Sequence, residues 1–194
     1  MAALNPVIKP AMAALALAAF VACPGPASGD TSKPPAKTIA DTLAYSNPSG
    51  SGYTLVRNAA STAGHLVLDV MGPATPTALS GVGFQLSADQ TKVTWTSVGS
   101  DKVNSSTFTS TLVKTKVSGD TLQAAVFQKG LAAPVTAGPT TVLAQVALDL
   151  KPNTPVNTAI TLSAPAGKAV ILNPPANPAP TSTVTLSLGS LVAN

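Results

Sequence analysis

From Tyr53 onward the chain alternates apolar and polar side chains at period two. In 64–71, Leu66, Leu68 and Val70 share one face, and His65, Val67 and Asp69 the other. Val82, Phe84 and Leu86 alternate in 81–87, Val93 and Trp95 in 92–98, and Leu122, Ala124 and Val126 in 121–129. The most regular run is 141–150, with Val142, Ala144, Val146, Leu148 and Leu150 against Thr141, Leu143, Gln145, Ala147 and Asp149. Runs over 111–117, 158–164, 168–173 and 181–191 follow the same rule. Such alternation marks a half-buried strand. Turn residues separate the runs: Ser118-Gly119-Asp120 predicts a hairpin, and prolines fill 151–155, 164–167 and 173–180, where a ladder cannot continue. No window carries a sustained helical period with caps, and no repeat of solenoid length occurs. The pattern predicts an all-β fold, a single antiparallel jelly-roll sandwich of about nine strands. Trp95 and Val146 are expected in its core. Gln145 is expected on a solvated face, where truncation to alanine changes stability by less than about 0.5 kcal/mol.

Before Tyr53 the pattern differs. One lysine, Lys9, precedes an apolar stretch from Ala11 to Ala22, which is shorter than the ~20 residues a membrane span needs. A basic start, an apolar middle and a small residue before a cut describe a secretory signal peptide over 1–22. The run Ala19-Phe20-Val21-Ala22-Cys23 ends on the only cysteine of the chain. It resembles the lipobox of bacterial lipoproteins, with Phe20 standing where leucine is usual. That resemblance implies lipid on Cys23; the alternative is ordinary signal cleavage that leaves a spare thiol. Pro, Gly, Ser and Thr then dominate 23–50, which reads as a flexible tether carrying at most a short strand near 42–45. The predicted domain is 51–194.

Composition supports an extracellular or periplasmic β-domain. Hydrophobic residues make up 45% of the chain, enough for a core, while charged residues make up 9% and glutamate is absent. The net charge of +4 is spread along the chain rather than clustered on one face. Without a basic stripe or interleaved aromatics, nucleic acid is excluded as a partner.

The order of signals carries a further resemblance. Leu66-Val67-Leu68-Asp69-Val70 leads to Gly81-Val82-Gly83-Phe84-Gln85-Leu86-Ser87, then to Ala88-Asp89-Gln90 and to Val93. This resembles the cohesin-like family of carbohydrate-binding-type sandwiches. In that family a strand ends in a polar turn bearing aspartate, usually Tyr-Asp-Pro, and resumes on an apolar residue. The tyrosine and proline are absent around Asp89. Residues 122–130 and 142–150 resemble the family's later hairpin, and 181–191 its closing strand. The resemblance covers roughly 53–191. It implies a nine-strand sandwich used for non-catalytic binding or assembly; it does not imply dockerin binding, and no dockerin-type calcium-loop repeat occurs in the chain.

Catalytic residues are hard to assemble from this chain. His65 is the only histidine and stands on the outward face of its strand. The seven aspartates are dispersed, so neither a nucleophilic triad nor a glycosidase carboxylate pair is evident. The reading is a protein that is not an enzyme. Calcium is the one metal the oxygens could hold, through Asp89 with Gln90 or Asp101 with Asn104, against the commoner role of such residues in capping turns; no cofactor is expected. Sugar recognition needs exposed rings, and Tyr53 and Phe127 are the candidates.

Two functions follow. The first is a lipid-anchored cell-envelope protein, at the outer membrane or cell surface, whose cohesin-like domain binds or assembles with an unknown protein partner. The alternative is a lipid-anchored carbohydrate-binding module that holds a glycan. Without the anchor, the protein is secreted.

Overall fold

The computed structural model describes residues 35–96, 107–108, 111–130, 132–174 and 180–194. The signal-peptide and lipidation expectations at 1–22 and Cys23, and the Asp101–Asn104 pair, lie outside the described residues. A compact unit runs from Ala36 to Asn194.

Among the described residues the structure has strands and no helix. In chain order they are β1 (Leu43–Ser46), β2 (Tyr53–Arg57), β3 (His65–Met71), β4 (Thr77–Leu79), β5 (Gly81–Ala88), β6 (Val93–Trp95), β7 (Thr111–Ser118) and β8 (Thr121–Gln128). They continue with β9 (Val135–Ala137), β10 (Val142–Leu150), β11 (Thr158–Ile160), β12 (Leu162–Ser163), β13 (Ala169–Leu172), β14 (Thr181–Val184), β15 (Leu186–Ser187) and β16 (Ser190–Ala193). One sheet has the order β15-β2-β3-β10-β6, and a second the order β14-β13-β5-β8-β7, with β12 also on β5. Leu55, Leu66, Leu68, Val70, Val146 and Leu148 of the first sheet pack with Val82, Phe84, Leu86, Leu122, Ala124, Val126 and Ile171 of the second in one buried core. A smaller sheet, β1-β16-β11, and the pair β4-β9 complete the fold. The predicted all-β sandwich is what forms. The runs expected over 64–71, 81–87, 111–117, 121–129 and 141–150 each form one strand, while 158–164 and 181–191 are split into shorter segments. Among the described residues all pairings are antiparallel except β15 on β2.

Three differences from the sequence reading have physical causes. The segment 36–50, expected as tether, lies in the compact unit. Leu43 and Tyr45 alternate inward and are buried, and β1 pairs with β16. This is the short strand expected near 42–45, held in a sheet rather than carried on a tether. The closing run 181–191 serves three sheets in turn as β14, β15 and β16. A single alternating stretch cannot reveal where the chain steps from one sheet to the next. In β10 the register shifts between Val142 and Ala144. One extra residue at a bulge changes the phase of a strand, so Leu143 is buried although simple alternation placed it outside.

The core expectations hold at Trp95 and Val146, both buried. The Trp95 indole N–H also donates to the Asp120 carbonyl at 2.7 Å. Gln145 does not sit on a solvated face. It is half-buried, and its Nε2 donates to Asp69 Oδ1 at 2.8 Å, while Asn58 Nδ2 donates to Asp69 Oδ2 at 2.7 Å. Asp69 is only 8% exposed, so its carboxylate depends on these two amides. Removing a donor from a buried acceptor costs about 1–3 kcal/mol. Gln145→Ala is therefore expected to lower stability by that amount in denaturant melts, and a loss under about 0.5 kcal/mol would contradict the network.

Candidate functional site

The outer face of β13-β5-β8-β7 is the most distinctive surface of the domain. Its strands pair without a register break: Gly81–Ser87 opposite Thr121–Phe127, and Thr111–Ser118 opposite Thr121–Gln128. The inward side chains fill the core, so the alternate positions form rows across the outer face. One row runs Leu172, Gly81, Phe127, Leu112. The next runs Val170, Gly83, Ala125, Lys114, and the next Gln85, Gln123, Lys116. Leu172, Phe127, Leu112, Val170 and Ala125 are half-buried, and Lys114, Lys116 and Gln123 are exposed. Gly81 lets the first row close up, because a methyl there would overlap the Phe127 Cβ.

The face is apolar at one end and cationic beside it. Lys114 and Lys116 project from β7, and exposed Lys168 lies next to β5, where its carbonyl accepts the Gln85 N–H at 3.0 Å. No aspartate stands in these three rows. The arrangement suits a broad, shallow contact: an apolar centre around one aromatic ring, with amides and cations at the margin. It offers no paired acid and base.

The sequence-predicted candidates are not brought together. Phe127 lies on this face. Tyr53 lies on β2 in the other sheet and is 6% exposed, with its ring in the core, so it cannot serve as a stacking platform. Burial pushes its hydroxyl above the ordinary tyrosine value. Asp89 caps a turn: its Oδ1 accepts the Thr91 hydroxyl at 2.6 Å and the Thr91 N–H at 2.9 Å. Those two bonds, with weaker help from Lys92 and Lys151, hold the carboxyl below its ordinary value. The Gln90 carbonyl accepts the Lys151 ammonium. Among the described residues, no cluster of three or more metal-ligating side chains occurs. His65 Nδ1 meets Asp149 Oδ1 at 2.5 Å across β3 and β10. The neighbouring Ser61 hydroxyl is committed to the Asn58 and Val67 backbone.

Sequence reasoning found Phe127 as outward-facing but missed Leu112, Val170 and Leu172 beside it. Strand order and register bring those residues together, and alternation within a single strand carries neither.

No protein-family model and no curated protein matches the chain. Solved structures do. A type II cohesin of Bacteroides cellulosolvens matches with a TM-score of 0.52 and 11% identity, over 73% of this chain and 98% of that one. The type II cohesin dyad from the adaptor scaffoldin ScaA of Acetivibrio cellulolyticus matches with a TM-score of 0.52 and 13% identity, over 74% of this chain and 48% of the dyad. CaCohA2 of Clostridium acetobutylicum, in a complex with CaDoc0917, matches with a TM-score of 0.52 and 13% identity, over 73% of this chain and 99% of that one. The fold is cohesin-like.

Proposed function

We propose that this protein is a non-catalytic interaction module that docks a protein partner on the outer face of β13-β5-β8-β7. We further propose that a lipid on Cys23 holds it at the bacterial cell envelope. The observation that carries the docking reading is the bulge-free face itself, where Leu172, Phe127 and Leu112 form a half-exposed apolar row beside Lys114 and Lys116. Interface energy concentrates in a few central aromatic and apolar side chains, and charged margins select the partner. The matching partner surface has an apolar anchor flanked by carboxylates. A structure of the same fold, CaCohA2, is seen in a complex with CaDoc0917, which supports the choice of a protein ligand. The anchor rests on the lipobox-like residues before Cys23, and the intact mass of membrane-extracted protein tests it. The carbohydrate reading loses support, because burial of Tyr53 leaves Phe127 as a single ring rather than a platform.

The docking reading is tested by co-purification from the envelope of the source cells. Phe127→Asp should abolish capture of the partner, and Lys114→Glu with Lys116→Glu should weaken it at least tenfold. Both variants should keep the parent melting temperature within a few degrees, since neither touches the buried core. Unchanged capture by Phe127→Asp would overturn the assignment of this face.

A further inference from the structure

At the crossover from β14 to β15 the chain leaves one sheet and joins the other. A cleft of about 200 Å³ opens to solvent there, between the 164–167 loop and Thr183, Val184 and Leu186. Its inner wall continues into the seam between the two sheets. Ala169, Val184 and Leu186 line both the cleft and the seam, and Tyr53, Val70 and Phe84 line the seam beyond them. Leu186 pairs in register with Tyr53.

The seam holds an unmet group. The Tyr53 hydroxyl is buried and has no hydrogen-bond partner among the described residues. The seam itself has no space for a water molecule. A buried polar group left unpaired costs about 1–3 kcal/mol. Phenylalanine would fill the same space without that cost. Leu186 of β15 lines both the seam and the cleft, and β15 has two residues and joins β2 only through Leu186 and Ser187. So short a ladder leaves the burial of Leu186 as the main apolar contact holding β15 closed.

We propose that this crossover is a small-molecule site for a compact, uncharged aromatic or alkyl compound bearing one hydrogen-bonding oxygen, to which the Tyr53 hydroxyl donates. The lining defines the class. The seam is aliphatic and aromatic, the cleft adds Thr183 and Thr185, and neither is lined by a charged side chain, so a charged ligand would be desolvated without an ionic partner. The volume suits one ring, because a cavity of about 150 Å³ already takes benzene. A displaced β15 would let the ring occupy the cleft and its oxygen reach Tyr53. This site is separate from the docking face and does not depend on it.

The test is titration of the full chain with p-cresol and with toluene, followed by ligand-observed NMR. The parent should bind p-cresol about three- to tenfold more tightly than toluene, the worth of one net hydrogen bond. Tyr53→Phe should melt at or above the parent temperature and bind the two compounds equally. Ala166→Trp, which places a ring at the exposed mouth, should remove both. The proposal is overturned if neither compound binds the parent, if both bind it equally, if the preference for p-cresol survives Tyr53→Phe, or if Ala166→Trp leaves binding intact. It is also overturned if Tyr53→Phe melts well below the parent, which would mean that the hydroxyl already has a partner.

Discussion

Gly189→Ala is expected to cost about 3 kcal/mol or more, a large share of the stability of a domain of this size. A methyl at position 189 would overlap the Ser46 carbonyl oxygen and stand 2.9 Å from the Tyr45 ring. The first obstacle is backbone in β1 and cannot swing aside. Relief would require the turn before β16 to move away from β1, yet β1 and β16 are paired over their whole length. That movement would also break the bond from the Gly189 N–H to the Tyr45 hydroxyl, 2.7 Å long. Gly52→Ala is the control, because a methyl there meets the Thr185 carbonyl oxygen at an ordinary 3.7 Å. Urea melts should show a large loss for the first variant and little for the second. Equal small losses would mean that the β1–β16 corner is looser than described.

The second large effect is at the centre of that corner. The Tyr45 hydroxyl donates to the Leu55 carbonyl at 2.9 Å and accepts from the Gly189 N–H, so one oxygen ties β1 to β2 and to the turn before β16. Tyr45→Phe leaves two backbone groups unpaired and should cost about 2 kcal/mol or more. The same hydroxyl makes stability depend on alkaline pH. Burial raises its pKa above the ordinary 10.0, and the Gly189 N–H opposes that only in part. Because the folded value lies above the unfolded one, the contribution is fully present below about pH 10 and is lost as pH rises through the folded value. Denaturant melts from about pH 8 to about pH 11 should therefore show falling stability at the top of the range. Tyr45→Phe should flatten that fall, leaving the part due to Tyr53, whose hydroxyl burial also raises. An identical alkaline slope in parent and variant would contradict this assignment.

Much of the sandwich was legible because period two needs only one buried face. Leu66, Leu68 and Val70, or Leu122, Ala124 and Val126, announce their strands without reference to any partner. Features that depend on pairs of distant residues were not legible. Nothing local ties Gln145 to Asp69, or Tyr45 to Gly189. The strands β4 and β9 have three residues each and pair only with one another, too short for a period to register. The docking face shows the same division. Alternation turns Phe127 outward, but only strand order places Leu172 and Leu112 in its row.

The central claim, that the β13-β5-β8-β7 face holds the partner, is tested most directly by photo-crosslinking in the source cells. A photoreactive residue is placed at Ala125, in the middle of this face, or at Val67, on the outer side of β3. The account predicts one crosslinked protein from position 125 and none from position 67. Crosslinking from position 67 alone, or from neither position, would contradict it.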